Sequence, residues 1–573
     1  MRAWSIDSFI SHVALTDLLK ILRTHSCFKT LPACARSLLR TPRKAQIRSM
    51  GPGKYCHFGL AEGLGWVMKH LSEVPMLLVI NVNIDGLPLT KSTSDQFWPV
   101  LCQVINYGKS QPFPIGVYYG KTKALCANTF LEPAVSDINT VLNEGIFVEG
   151  HRVAVKLAAI VCDAPAKAYV LGVKGHSGYF SCTRCTTEGD FLQGRMCFPE
   201  LDAPLRTNET FRNETQEEYH LKETVLKKLP IDLVLQIPLD YMHLVCLGAV
   251  RKLIILWLRG EKDCRIGCAA RDAVSLANVE IEPYVCSEFN RRPRSLSELD
   301  RWKATEFRMV VLYTGPIILH SKIPEHLFAN FMVLHVAVTI LCSPRHSHSA
   351  ELVDYAERLL IHFVRTFASL YGPHCISHNI HNLIHLASDV RMHGELEKWS
   401  AFPFENFLGS LKELLRKPER PLEQLYNRII EQRGTLPQPG TSSRESNVLQ
   451  LPHESGPLPH SCVGPQYKKA VIPGKFFLKN NRKDNTCILA DGTIIDILNF
   501  AFSPVSGEPQ VIGRKYLQVA DLYMHPCRSS LLGIRLVSDL SLVDSWPLSA
   551  VSTKCIRMPL ERKFAVFPLL HCQ

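Results

Sequence analysis

The chain has 573 residues, of which 46% are hydrophobic and 21% charged. This composition excludes a disordered protein and predicts roughly two to four globular domains, each with its own core. The formal net charge is +12, from 65 Lys and Arg against 53 Asp and Glu, which is compatible with a polyanionic partner such as nucleic acid. No apolar run reaches the ~18–20 residues of a membrane span, so we expect no membrane partner.

Twenty cysteines are scattered along the chain, and no secretory signal opens it. We therefore expect a reducing compartment, in which cysteines serve as metal ligands or buried thiols rather than disulfides. The sequence contains neither a GxxxxGK[ST] loop nor a GxSxG elbow. Their absence argues against a nucleotide-driven motor and a serine hydrolase.

Residues 1–54 are predicted to form a basic helical segment. Residues 16–23 have helical spacing, and five basic residues follow them: Arg36, Arg40, Arg43, Lys44 and Arg48. Two interpretations remain open, an arm that contacts phosphates and the solvated face of a helix.

The stretch from 77 to 84 is predicted to be a buried strand, because six of its eight residues are Leu, Val or Ile. It ends at Asp85, which is followed by Gly86. An acid in this position either caps the turn, since Asp-Gly is a common turn pair, or holds a cation. The choice depends on whether other carboxylates join Asp85.

A second acid, Asp163, ends another predicted buried strand at 153–162. Between the two strands we predict two further strands and a helix, at 96–105, 113–119 and 128–145. Three strands, a helix and a fourth strand, with acids ending the first and the fourth, is the order of the ribonuclease-H-like fold. This prediction of an α/β core is an analogy of pattern.

A third acid, Glu405, lies in a stretch rich in Phe, Leu and Pro, before a helix predicted at 408–415. A Glu buried among apolar residues needs a partner or a metal. The alternative is a surface acid that the helix dipole stabilises. Enzymes that cut or join phosphodiesters commonly hold two divalent cations with carboxylates from separate elements, so Asp85, Asp163 and Glu405 are candidate ligands for Mg²⁺ or Mn²⁺.

Cys182 and Cys185 form a CxxC, which is half of a zinc site. A site made of Cys182, Cys185 and His243, with a fourth ligand unassigned, is one interpretation, and two buried thiols near a turn is the other. A separate run of histidines, His378, His381 and His385, would share one helix face. These could bind metal or be buried in a helical bundle.

The remaining chain is divided by composition. We predict a core from 55 to 185, a polar loop plus helical insertion, a return helix carrying Glu405, a Pro/Ser/Gly-rich linker, and a β-rich C-terminal domain, with the last four at 186–395, 396–433, 434–465 and 466–573.

Several of these stretches, taken in order, resemble the transposases of CACTA (En/Spm-like) DNA transposons and the related transposase domain-containing proteins of animals. The matching residues span roughly 55–433, about two thirds of the chain: VNIDGLPL from 82, FWP from 97, CDAPAK from 162, KGHSGY from 174 through Cys182 and Cys185, DYMHLVCLG from 240, WKATEFR from 302 and SAFPFENFLG from 400.

The resemblance implies a ribonuclease-H-like catalytic core interrupted by a large helical insertion. It also implies a DDE triad of Asp85, Asp163 and Glu405 that binds Mg²⁺ or Mn²⁺. The CxxC and the DxxH of Asp240 and His243 match structural signatures of the superfamily. An alternative assignment makes Asp240 the second acid, but Asp163 is preferred because it ends a strand.

The function so implied is metal-dependent DNA cleavage and strand transfer in the nucleus. The partners would be transposon ends and target DNA, and the chain could act as a homo-oligomer. Two alternatives are a domesticated, non-catalytic DNA- or chromatin-binding protein and a metal-dependent nuclease without strand transfer. No N-terminal domain that would select transposon ends is recognisable in the sequence.

Overall fold

The chain folds into two units, each assembled from separate stretches of sequence. A computed structural model describes residues 1–570 except Ser72, Lys91, Lys109 and 435–447. Unit 1 comprises Met1–His176, Thr207–Pro238 and Ala401–Arg444, and unit 2 comprises Ser177–Arg206, Leu239–Ser400 and Glu445–Gln573. The structure thus leaves unit 1 at residue 176, earlier than the predicted 185, and returns 207–238 to it.

Unit 1 contains one mixed sheet. Numbered along the whole chain, its strands are β1 Ile47–Met50, β2 Gly53–His57, β3 Leu77–Ile84, β4 Leu87–Pro88, β5 Gln96–Val104, β6 Phe113–Gly120, β7 Ile146–Val148 and β8 His151–Val161. The order is β1-β2-β6-β5-β3-β8-β7, with β4 paired to β5. Only β3 and β8 are parallel to each other among these pairs.

The helices of unit 1 are α1 Arg2–Asp7, α2 His12–Arg23, α3 Ala35–Leu39, α4 Leu60–Met68, α5 Ala127–Glu144, α6 Ala164–Leu171, α7 Asn208–Arg212, α16 Phe402–Glu413 and α17 Pro421–Arg433. α5 connects β6 to the β7–β8 hairpin and buries Phe130, Leu131 and Ile138 in the core of the sheet. The predicted strands at 77–84, 96–105, 113–119 and 153–162 and the helix at 128–145 are confirmed to within about two residues.

The N-terminal helices are attached to α17. Glu431 is buried and accepts a hydrogen bond from the Thr41 hydroxyl, and its carboxylate lies 3.3 Å from His12 Nε2. Arg433 donates to the carbonyls of Phe58 and Pro114, which joins α17 to the sheet. The return helix therefore holds the first 44 residues and the sheet together within unit 1.

Unit 2 contains a helical region and a small hairpin, β9 Asp190–Leu192 with β10 Arg195–Cys197. Its helices are α8 Arg251–Arg259, α9 Cys268–Glu280, α10 Ala304–Met309, α11 Gly315–Ile318, α12 Glu325–Cys342, α13 Ala350–Tyr371, α14 His378–Asn382 and α15 Leu386–His393, with π-helical segments at Met242–Val250 and Val310–Thr314. By length and composition α12 could cross a membrane, but 72% of it is buried, as in a core helix.

The C-terminal part of unit 2 is β-rich, with strands β11 Leu449–His453, β12 Val463–Ile472, β13 Phe476–Lys479, β14 Thr486–Leu489, β15 Ile494–Phe502, β16 Pro509–Ala520, β17 Arg535–Leu540, β18 Asp544–Pro547, β19 Val551–Leu560 and β20 Lys563–Pro568. Six of them close a ring, β15-β14-β19-β20-β17-β16, because β16 also pairs with β15. β11 and part of β12 lie before residue 466, within the predicted linker. Residues 435–447 of that linker lie outside the described residues.

The predicted mixture of an α/β region, a helical region and a β-rich C-terminal domain is confirmed at this level of description.

Candidate metal centres

Two of the predicted acids follow neighbouring parallel strands. Asn83 of β3 is the register partner of Val161 of β8, and its side-chain amide donates to the Val161 carbonyl at 3.0 Å. Asp85 and Asp163 each come two residues after these partners. The matched register therefore delivers both carboxylates to the same edge of the sheet.

Each of these acids also serves its local backbone. Asp85 Oδ1 accepts a hydrogen bond from the Gly86 amide at 2.6 Å, and Asp163 Oδ1 accepts one from the Ala166 amide at 2.7 Å. Asp163 thereby caps the N-terminus of α6. An ionised carboxylate has about four acceptor positions, so these bonds leave capacity for a cation.

Glu405 lies in the first turn of α16, which begins at Phe402, six residues before the predicted start at 408. Phe402, Phe404 and Leu408 are buried, whereas Glu405 is exposed. The neighbouring phenylalanines form the buried face of the helix and do not enclose the acid. Of the two interpretations from sequence, the surface acid at a helix start describes its position.

Asp85 and Glu405 come together across 320 residues (405 − 85). Each offers a carboxylate oxygen within 4.8 Å of the other. Two ionised carboxylates at this distance repel each other, and a divalent cation between them would remove the repulsion. Asp163 is not part of this closest group, although the strand register places it at the same sheet edge.

Cys162 reports how close the two strand-end acids are to each other. Burial, and then the nearby carboxylates of Asp163 and Asp85, raise the pKa of the Cys162 thiol well above its usual range. Both acids therefore act electrostatically on one buried sulfur atom, which stays a neutral thiol.

A second centre lies in unit 2, where Cys182, Cys185, His381 and His385 are all buried and offer ligand atoms within 4.8 Å of one another. Cys185 Sγ is 3.2 Å from His381 Nε2, and Cys182 Sγ is 3.7 Å from His385 Nε2. In a tetrahedral zinc site, bond lengths of ~2.3 Å to sulfur and ~2.05 Å to nitrogen put these atoms about 3.6 Å apart.

The surrounding groups favour ligation. The amides of Arg184 and Cys185 donate to Cys182 Sγ at 3.4 Å each, which suits a thiolate. His381 Nδ1 lies 3.1 Å from the Phe198 carbonyl, so Nδ1–H can donate there and leave Nε2 for a metal. Although burial opposes ionisation, the hydrogen bond with Cys185 and the neighbouring His385 lower the pKa of the Cys182 thiol.

The structure thus gives the CxxC two histidine partners that differ from the predicted one. His243 is not among the four grouped residues of the described chain. Its Nδ1 lies 2.6 Å from Asp240 Oδ2, which also accepts the His243 amide. The DxxH is therefore a local pair, and Asp240 belongs to unit 2.

The histidine run divides between two roles. His381 and His385 face the cysteines, whereas His378 Nε2 lies 3.3 Å from the Ser181 carbonyl. The i, i+4 spacing of His381 and His385 was the sequence signal for the missing ligands. It could have been paired with the CxxC, since a C-x₂-C and an H-x₃-H together complete a four-ligand site.

A third group of ligand atoms comes from Cys286, Glu288 and Asp484. It already contains a cation, because Lys554 Nζ lies 2.6 Å from Glu288 and 2.8 Å from Asp484. Ser287 donates to Asp484 from both its amide and its hydroxyl. This cluster is a buried salt-bridge network inside unit 2.

Residues 452–569 match a domain of unknown function, DUF8592. The match begins within β11 and ends just after β20, so it covers the C-terminal strands and neither candidate metal centre. No curated protein matches the chain.

Proposed function

We propose that this chain is a DDE-type DNA transposase of the CACTA-like kind, or a transposon-derived protein that keeps its core, and that it cleaves and joins DNA strands with divalent cations. The observation that carries the proposal is the approach of the Asp85 and Glu405 carboxylates to within 4.8 Å. Residues 320 positions apart (405 − 85) are rarely brought together as like charges unless a cation binds them.

The order of elements around the site supports a ribonuclease-H-like core. β6, β5, β3 and β8 are consecutive in the sheet, and α5 makes the connection towards the parallel strand β8. This is the arrangement implied by the resemblance, with an acid after the first and the fourth strand. The separation of 242 residues between Asp163 and Glu405 (405 − 163) then corresponds to the inserted chain.

Asp85 and Glu405 would hold Mg²⁺ or Mn²⁺, and Asp163 would add an oxygen from the neighbouring strand end. Bound there, the cations would activate water or a 3′-OH and stabilise the leaving oxygen. The protein side chains supply position and negative charge, because hard cations prefer carboxylate oxygens. Acting on DNA, the chain would work in the nucleus on transposon ends and target, with a homo-oligomer as the form that holds two ends.

The test is cleavage and joining of DNA by the full chain in Mn²⁺ or Mg²⁺. The substrates are a supercoiled plasmid and duplexes carrying the repeats that flank the locus. Asp85→Asn, Asp163→Asn and Glu405→Gln should each lower the rate by about 100-fold or more, as removal of a metal ligand does. Glu413→Gln, an exposed acid at the end of the same helix as Glu405, should keep wild-type activity.

Wild-type activity in Asp163→Asn would overturn the assignment of this acid. Nicked products without joined products would favour the nuclease over the transposase.

Cys182, Cys185, His381 and His385 would hold a structural zinc ion in the same proposal. Four protein ligands leave no open position, which distinguishes structural from catalytic zinc. The site would connect the CxxC segment to α14 within unit 2 and would not take part in DNA chemistry.

A second function is favoured by one observation. Asp163 caps α6 and is not in the closest carboxylate group, as expected of a domesticated, non-catalytic DNA- or chromatin-binding protein that keeps the fold. Such a protein binds DNA but gives neither nicked nor joined products in either metal.

A further inference from the structure

Unit 1 contains a strongly basic cleft far along the sheet from the acids. Its cavity has a volume of about 560 Å³. Six basic residues line it, and together they define the basic cleft: Arg36, Arg43, Lys44, Arg48, Lys54 and Arg420. The only acid in the lining is Glu423, so the lining carries five net positive charges (six minus one).

Most of this charge is not neutralised within the described part of the chain. Arg43, Lys44, Arg48 and Arg420 have no carboxylate within 4.0 Å there. Lys54 pairs with Glu423 at 3.4 Å, and both side chains are partly exposed. Because clustered like charges repel each other, the cleft favours an anionic ligand with several charges along its length.

The cleft is a fixed surface, because three separate parts of unit 1 build it. Arg43 and Lys44 precede β1, Arg48 lies on β1, and Arg420 immediately precedes α17. Glu431 of α17 anchors the preceding segment through Thr41. The basic side chains are therefore presented together without a folding step at the moment of binding.

Its place in the sheet relates it to the acids. Four strand steps separate β1 from β3 in the order β1-β2-β6-β5-β3. At a spacing of ~4.8 Å, this is roughly 19 Å, or about five to six base pairs along duplex DNA.

We propose that the basic cleft binds the sugar-phosphate backbone of duplex DNA, about half a helical turn from the point that the carboxylates act on. The inference rests on the proposed function for the identity of the polyanion. It assigns to residues 36–54 and Arg420 a role in positioning DNA, which selects no sequence, because backbone contacts carry none.

The test measures binding of a fluorescent 30-base-pair duplex by the full chain, by anisotropy in EDTA at several salt concentrations. The double variant Arg43→Glu/Lys44→Glu should weaken binding by about tenfold or more. It should also reduce the slope of log K against log [salt] by about 1.8, since each lost phosphate contact removes ~0.9. Both side chains are exposed, so the variant should fold, which circular dichroism checks.

The matched control is Lys262→Glu/Arg265→Glu, with the same change of charge at two exposed positions of unit 2. It should retain the wild-type salt slope. Equal slopes in both double variants would overturn the assignment of the cleft. Tighter binding of an RNA duplex or of inorganic polyphosphate than of DNA would overturn the choice of ligand.

Failure of the cleft is distinguishable from failure of the proposed function. The binding measurement needs neither metal nor cleavage and can be repeated in Asp85→Asn. Metal-dependent cleavage with an unchanged salt slope in Arg43→Glu/Lys44→Glu would reject the cleft alone. Cleft-dependent binding without cleavage would reject the transposase alone.

Discussion

Cys185 Sγ lies 3.2 Å from His381 Nε2, although 196 residues separate them in the chain. The contact joins the CxxC segment to α14, and it is one edge of the four-residue group with Cys182 and His385. A buried cluster of two thiols and two imidazoles with few other partners is stabilised most simply by a metal ion.

We therefore predict that the purified protein contains about one zinc per chain by elemental analysis. Cys182→Ser and His385→Ala should lose it and unfold at lower temperature, because ligand loss removes binding free energy from the folded state. Cys197→Ser, a buried cysteine in the same segment, and His243→Ala should both keep the metal. Zinc loss in His243→Ala would restore the ligand set first predicted from the sequence.

Binding of Mn²⁺ by the carboxylates should be visible without any DNA. Mn²⁺ at about a hundred times its dissociation constant should stabilise the wild type by roughly 3 kcal/mol, measured as a rise in melting temperature over the protein in EDTA. Glu405→Gln should lose most of this rise, because it removes one of the two close carboxylates. Glu413→Gln should show the full rise, and an equal rise in both variants would contradict the site.

The buried Lys554 should be essential for the stability of unit 2. Lys554→Met leaves Glu288 and Asp484 without their cation, so we expect a loss of about 3–5 kcal/mol in the free energy of unfolding, measured in denaturant. Lys554→Met combined with Glu288→Gln and Asp484→Asn should recover part of this loss, since fewer buried charges remain unpaired. No recovery would mean that packing on Phe477, which lies 4.3 Å from the ammonium, matters more than charge.

The same network predicts a pH dependence of stability. Burial would raise the pKa of Asp484, but Lys554 and Ser287 outweigh it and hold the pKa of this carboxyl below its usual value of 3.8. Its contribution is therefore complete above about pH 4 and is lost as the pH falls through the lower folded-state pKa. The difference in unfolding free energy between the wild type and Asp484→Asn should be constant above about pH 5 and shrink below pH 4. A difference that grows on acidification would contradict the ion pair.

Glu431 should control the attachment of the N-terminal helices. It accepts from Thr41, lies 3.3 Å from His12, and pairs with Arg428 at 2.8 Å. Glu431→Ala should make residues 1–44 sensitive to limited proteolysis and weaken DNA binding through the basic cleft. Glu423→Ala, on the first turn of the same helix, should leave the N-terminal segment resistant, and cleavage at equal rates would contradict the anchoring role.

The strands of unit 1 could be predicted because their residues carry the signal locally. β3 and β8 are runs of Val, Leu, Ile and Ala, and each is followed by an acid. Helix α5 has its apolar residues at helical spacing for the same reason. The start of α16 was placed too late, because Pro403 and the phenylalanines around it were taken as a loop before the helix.

The partners of the CxxC could not be chosen with the same certainty. His243 follows the cysteines by 58 residues (243 − 185) and His381 by 196 (381 − 185), and periodicity within either segment does not decide which one folds back. That choice is made by tertiary packing. Buried groups such as the Arg184–Asp389 pair, at 2.6 Å, fix the CxxC segment beside α15.

The three-part construction of unit 1 has a consequence for synthesis. Helix α16 is separated from Asp163 by most of unit 2 in sequence, so a ribosome adding about 5–20 residues per second needs roughly 12–48 s to travel from the second acid to the third. During that interval the strands carrying Asp85 and Asp163 exist without Glu405. A nascent or prematurely terminated chain therefore lacks the carboxylate pair, and reactivity towards DNA is delayed until translation has passed the return helix.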